Sequence, residues 1–145
     1  MLNINHLAPD FKGLKAYHQG EFKEISLSDY AGRWLVLFFY PRDFTFVCPT
    51  ELRGFAKQEE EFKALGCDIL AASTDSEWSH KNWFERDLPE VKYPILADTT
   101  QNLAKAYDVL NEDDGSADRG LFIIDPEGKI KYIVVSAGSV GRSVV

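Results

Sequence analysis

Seven consecutive apolar residues, Trp34-Leu35-Val36-Leu37-Phe38-Phe39-Tyr40, do most to limit what this chain can become. A strand with one wet face alternates apolar and polar residues. A strand covered on both faces does not, so 34–40 predicts a buried strand inside a layered α/β domain. The run is far shorter than the ~20 residues that cross a bilayer. Downstream, Leu52, Phe55, Ala56, Phe62 and Leu65 recur near helical spacing with charges between them, predicting a helix over 50–65 with Gly66 as its stop. Residues 67–73 form a second mostly apolar strand. A strand–helix–strand unit with a single helical crossover implies parallel pairing and a right-handed connection.

The remaining segments extend this plan. Residues 15–17 and 21–25 flank His18-Gln19-Gly20 as a small hairpin. Residues 76–87 predict a helix with Ser76 as cap and with Trp83 and Phe84 on its apolar side. A short strand over 93–97, a helix over 102–107 starting near Thr99 or Thr100, and a polar turn over 111–118 follow. Strands over 121–124 and 130–136 close on Pro126-Glu127-Gly128 as a hairpin. A βαβ unit, then a helix and a β-hairpin, is the plan of a thioredoxin-like fold. Its central mixed sheet is flanked by helices, and the N-terminal hairpin is an extension. The 145 residues suffice for one domain spanning 1–145.

Composition narrows the function. A formal net charge of −7 at pH 7 argues against a nucleic-acid-binding face. Two cysteines are too few for a disulfide scaffold. The N-terminus, MLNINHLAPDFKG, has neither the charged nor the apolar segment of a signal peptide. These features predict a cytoplasmic protein that binds neither membrane nor nucleic acid. His6, His18 and His80 are scattered, and Asn111-Glu112-Asp113-Asp114-Gly115 lacks the spaced ligands of a calcium loop. No phosphate loop or dinucleotide fingerprint is present. No metal and no bound cofactor are predicted.

The chemistry centres on Cys48, which falls between the buried strand and the first long helix. A thiol in the first turn of a helix meets the positive end of the helix dipole and its unpaired N–H groups. That setting favours the thiolate, the reactive form. In such sheets reactive groups sit beyond the C-terminal ends of the parallel strands. The spacing Pro41-x-x-x-Thr45-x-x-Cys48 adds chemistry. Pro41 ends the strand and shields one side. The Thr45 hydroxyl can both donate to and accept from a substrate oxygen. Backbone N–H groups near Cys48 can stabilise developing charge, and Phe44, Phe46 and Val47 make the rim apolar. Arg119 or Arg142 is a candidate cation, and Glu51 is placed to orient an arginine. Each residue also has an ordinary reading: a buried small thiol, a helix cap at Thr45, a first-turn acid at Glu51, a surface ion pair at Arg119, a core ring at Trp83. The combined spacing and the strand–helix context select the catalytic reading of Cys48.

The string FFYPRDFTFVCPTE resembles the active site of peroxiredoxins, above all the typical two-cysteine branch that includes the alkyl hydroperoxide reductase C subunits and thioredoxin peroxidases. APDF, LAASTDS, YPILAD, RGLFIIDPEG and VGRSV follow in family order, so the resemblance covers essentially the whole chain. It implies a cofactor-free thiol peroxidase acting on hydrogen peroxide and organic hydroperoxides through a cysteine sulfenic acid, in antioxidant defence. Cys48 would be the peroxidatic nucleophile. Thr45 and Arg119 would bind the peroxide oxygens and Pro41 would shield the sulfenate. Glu51 and Arg142 would be the supporting ion-pair residues, with Tyr40, Phe46, Val47 and Trp83 as the collar. The resemblance also implies an external thiol reductant, thioredoxin-like or a flavoprotein reductase. It implies a homodimer paired through the last strand, and a ring of dimers built on loops near residues 43–46 and 76–79. Residues 83–94 lack the GGLG insertion, which implies a bacterial or archaeal type that resists overoxidation.

The branch's C-terminal helix and resolving-cysteine tail are expected to be absent from this chain, which stops at Val145. Cys67 is no substitute. The predicted helix separates it from Cys48 by ~25 Å, whereas a disulfide needs Cα atoms within ~7 Å. The competing readings are a thiol–disulfide oxidoreductase, disfavoured by the missing C-x-x-C, and a ring-forming holdase on the same fold.

Overall fold

The computed structural model describes residues 2–43 and 48–136, with side chains from Glu51 onward in the second stretch. At its centre β3 (Trp34–Phe39) is buried from Leu35 onward. It lies parallel to β4 (Cys67–Ser73), in register from Trp34 against Cys67 to Phe39 against Ala72. Helix α1 (Cys48–Ala64) joins the two strands. On the other side of β3, the antiparallel hairpin β6 (Arg119–Ile124) and β7 (Ile130–Ser136) completes the thioredoxin-like core. Strand β5 (Ile95–Ala97) adds in parallel to β4, and the hairpin of β1 (Leu14–His18) and β2 (Glu21–Ile25) adds antiparallel to β5. Among the described residues this makes one mixed sheet of seven strands, in the order β2-β1-β5-β4-β3-β6-β7.

The absence of alternation in the 34–40 run has a direct structural cause. Leu35, Leu37 and Phe39 enter one core, with Phe11, Leu70, Tyr107 and Phe122. Val36, Phe38 and Tyr40 enter a second core on the opposite face, with Leu52, Phe55, Ile69 and Trp83. Successive strand side chains point to opposite faces, so a strand between two cores needs an apolar residue at every position. Helix α1 and helix α2 (Glu77–Asp87) contribute to the second core. Helix α3 (Asn102–Ala106) and the N-terminal segment contribute to the first. Phe38 stacks on Phe55 with ring centroids 4.1 Å apart. Burial of rings of this size stabilises the α1–sheet contact by roughly 2–3 kcal/mol each.

Element ends depart from the sequence expectations in a few places. Strand β6 begins at Arg119 rather than at residue 121, because Arg119 pairs with Ser136 and Gly120 with Val135. Helix α1 starts at Cys48 and ends at Ala64, leaving Leu65 79% exposed in the turn and outside the apolar face. Gly66, at φ +76°, makes that turn, its N–H bonding to the Lys63 carbonyl. Ser76 does cap α2, accepting from the Ser79 N–H at 3.1 Å. At α3 the main acceptor is neither threonine. The Asp98 carboxylate takes the N–H groups of Leu103 and Ala104 at 3.0 and 2.8 Å, across a left-handed Gln101.

Candidate active site

Cys48 is the first residue of α1, so its backbone stands where the unpaired N–H groups and the positive end of the dipole lie. Tyr93 fixes this turn by donating its hydroxyl to the Leu52 carbonyl at 2.8 Å. Glu51 follows Cys48 by three positions, nearly one helical turn, and is 2% exposed. Its carboxylate pairs with the guanidinium of Arg119, itself 3% exposed. Strand parity explains the meeting. Along β6, Phe122 and Ile124 enter the first core while Leu121 and Ile123 pack against the second. Arg119 has the parity of the latter pair, which places it on the α1 side of the sheet. The pair therefore holds a permanent cation against the first turn of α1. The two residues are 68 positions apart in sequence.

Pro41 is buried directly after β3. Tyr40 and Trp83 are interior side chains, their ring centroids 6.2 Å apart in the second core. They pack in that core at the end of β3. Phe44, Thr45, Phe46, Val47 and Arg142 lie outside the described residues. So does the Cys48 side chain.

Sequence reasoning missed the network built on Asp43, which is 5% exposed. The Tyr40 hydroxyl donates to its Oδ1 at 2.5 Å, and the Ser79 hydroxyl donates to its Oδ2 at 2.8 Å. His80 Nδ1 lies 2.8 Å from the same oxygen. His80 Nε2 lies 3.0 Å from the Leu96 carbonyl, so each ring nitrogen faces an acceptor. The Asp43 N–H donates to Asp75 Oδ2 at 2.7 Å, and the Ser73 hydroxyl donates to that oxygen at 2.9 Å. Burial, then the Asp43 charge, pushes the Asp75 carboxyl above its ordinary value; the Asp43 N–H and the Ser73 hydroxyl oppose the shift. Burial, then the Asp43 carboxylate, also raises the Tyr40 phenol well above its ordinary value, which keeps it a donor. One sequence signal pointed here: His80, Trp83 and Phe84 share the apolar side of α2 by spacing, and a buried histidine requires partners. Next to Asp43, Arg42 turns outward and pairs with Asp114 at 3.0 Å.

Cys67 is buried at the start of β4, beyond the far end of α1. The 17 residues of that helix span ~25 Å. Burial, then the neighbouring Asp68 charge, pushes the Cys67 thiol above its ordinary value. Among the described residues no cluster of three or more His, Cys, Asp or Glu side chains could hold a metal ion. His18 instead accepts from Lys23 at 2.7 Å and donates to the Lys92 carbonyl at 2.9 Å. Burial, then the Lys23 charge, lowers the His18 pKa from its ordinary value.

Comparison with known proteins agrees with this architecture. The model of the AhpC/TSA family matches residues 4–133. Peroxiredoxin prdx-2 of Caenorhabditis elegans is 51% identical over 97% of this chain and 72% of its own length. A putative peroxiredoxin in the rubredoxin operon of Clostridium pasteurianum is 48% identical over 94% of this chain and 80% of its own. The crystal structure of Enterococcus faecalis AhpC superposes with a TM-score of 0.95 at 40% identity, covering 99% of this chain and 87% of that one. A buried arginine fixed to the first turn of the cysteine-bearing helix, on a fold shared along nearly its whole length, gives the conclusion: the chain belongs to the AhpC/TSA family of peroxiredoxins and is a thiol-dependent peroxidase.

Proposed function

We propose that Cys48 is the peroxidatic nucleophile and that Arg119, Thr45 and Pro41 form the rest of its site. The Cys48 thiolate attacks the terminal peroxide oxygen, a sulfur–oxygen bond forms, and the O–O bond breaks. The leaving oxygen takes a proton and departs as water or alcohol, and Cys48 is left as sulfenic acid. Arg119 stabilises negative charge on both the sulfur and the departing oxygen, while Thr45 orients the peroxide and Pro41 limits water. Glu51 keeps the guanidinium in place, and Arg142 adds a second supporting charge.

The observation that supports this reading best is the buried Glu51–Arg119 pair at the first turn of α1. Buried ion pairs contribute little net stability. Their value here is a cation whose position is fixed before peroxide arrives. Cys67, buried and ~25 Å away along α1, is a poor partner for the sulfenic acid. An external thiol, from a thioredoxin-like protein or a flavoprotein reductase, condenses with the sulfenic acid, releasing water. A second thiol then frees Cys48 as the reductant is oxidised to a disulfide. No described helix is long and apolar enough to cross a membrane, and we place the enzyme in the cytoplasm as a homodimer able to form rings.

Stopped-flow mixing of reduced protein with hydrogen peroxide tests the assignment. Fast consumption of one equivalent is expected, lost in Cys48→Ser and slowed about 100-fold or more in Arg119→Gln. Oxidation no faster than that of free cysteine would overturn it.

A further inference from the structure

We propose that Asp43 is a positioning residue of the peroxidase reaction, its buried carboxylate setting where the segment that carries Cys48 sits. The proposal rests on the reading of Cys48 as nucleophile. Asp43 precedes Cys48 by five positions. Its two carboxylate oxygens meet three side chains: Tyr40 at the end of β3, and Ser79 and His80 on α2. Its own N–H is held by Asp75. One residue is thus fixed by both its side chain and its backbone.

The partners are themselves fixed. His80 is fully buried, anchored through Nε2 to Leu96 of β5, and set edge-on against Phe84 at 6.0 Å. Tyr40 is fully buried against Trp83. A continuous series of contacts therefore runs from β5 through α2 to the residue where the chain leaves β3 for α1. An apolar side chain could fill this space with less desolvation cost. A carboxylate adds directionality, because each oxygen accepts only from donors in fixed positions.

Helix α1 is anchored from its fourth residue onward, by Glu51 on Arg119 and by Tyr93 on Leu52. Asp43 is the corresponding anchor at the end of β3. Loss of the Asp43 anchor would shift the chain as it leaves β3 and, through it, the entry into α1 at Cys48, ahead of the Glu51–Arg119 pair. Asp43 acts through this geometry and touches no reacting atom.

Two variants test the idea in a Cys67→Ala background, so that Cys48 is the sole thiol. Asp43→Asn keeps the size but turns a donor toward Ser79 or His80. Tyr40→Phe removes one donor and keeps the ring on Trp83. Stopped-flow rates with hydrogen peroxide and the ultraviolet titration of the Cys48 thiolate are measured together, with circular dichroism as the check on folding. Asp43→Asn should lose about 100-fold in second-order rate and Tyr40→Phe about 10-fold. The thiolate midpoint should move upward in both. A purely structural role would lower the melting temperature and leave rate and midpoint at their parent values below the transition, and that result overturns the proposal. If Asp43→Asn does not fold, Tyr40→Phe decides alone by the same two readouts. Fast oxidation that persists in Cys48→Ser would instead overturn the assignment of the nucleophile, and the proposal with it.

Discussion

Cys67 sits in an electrical setting opposite to the one in which α1 places position 48. It is buried, next to Asp68, and its pKa lies above the ordinary 9.0, with burial the larger cause. A raised pKa means that the protonated thiol persists to higher pH, so the reactive thiolate is scarce at neutral pH and grows only as pH climbs past 9. In Cys48→Ser protein, Cys67 should resist alkylation at neutral pH until denaturant is added, as read by mass spectrometry over time. Rapid labelling of the folded protein would contradict this. The sequence made Cys67 legible because an apolar strand begins there. Asp43 was not legible. Nothing in the linear neighbourhood of Asp43 announces Ser79 and His80, which reach it only when α2 folds against the end of β3. The three histidines likewise looked alike in sequence, yet His18 accepts from a lysine while His80 lies between two acceptors.

Strand β6 carries Arg119 and leaves little freedom around it. A Cβ at Gly120 would lie 2.6 Å from Val109 Cγ1 and 3.0 Å from Phe122 Cε2. Gly120→Ala should therefore cost about 1–3 kcal/mol, measured by denaturant midpoint, since the overlap is with packed core. Adding Val109→Ala should recover part of the loss. Parental stability in Gly120→Ala alone would count against this packing. Helices and strands were legible to within one to three residues because their apolar periods are strong, as in 34–40 and 67–73. What periodicity could not supply was the exception at α3. Asp98 caps that helix from outside the usual cap position, which depends on the left-handed turn at Gln101.

At the scale of the molecule, the sheet formed by the described residues has two edges, β2 and β7. Tyr132 is 51% and Val134 39% exposed on β7, and an exposed edge strand is a template for pairing with another strand. The Tyr132→Lys/Val134→Lys double variant places like charges across any β7–β7 pair. If the proposed homodimer pairs through β7, light scattering after size exclusion should show its mass falling to that of the monomer. An unchanged mass would refute pairing through β7. The overall architecture was readable from element order, because one helical crossover followed by a hairpin leaves few sheet topologies open.

The long reach of the Glu51–Arg119 pair sets an order of events in the making of the enzyme. Cys48 and all of α1 leave the ribosome more than fifty residues before Arg119. The guanidinium arrives only when β6 is added beside β3. On the proposed assignment, a growing chain carries Cys48 for about half of its synthesis without the charge that would arm it, and peroxide reactivity would begin only once β6 has joined the sheet. On that assignment the order of synthesis would itself hold back premature oxidation of Cys48.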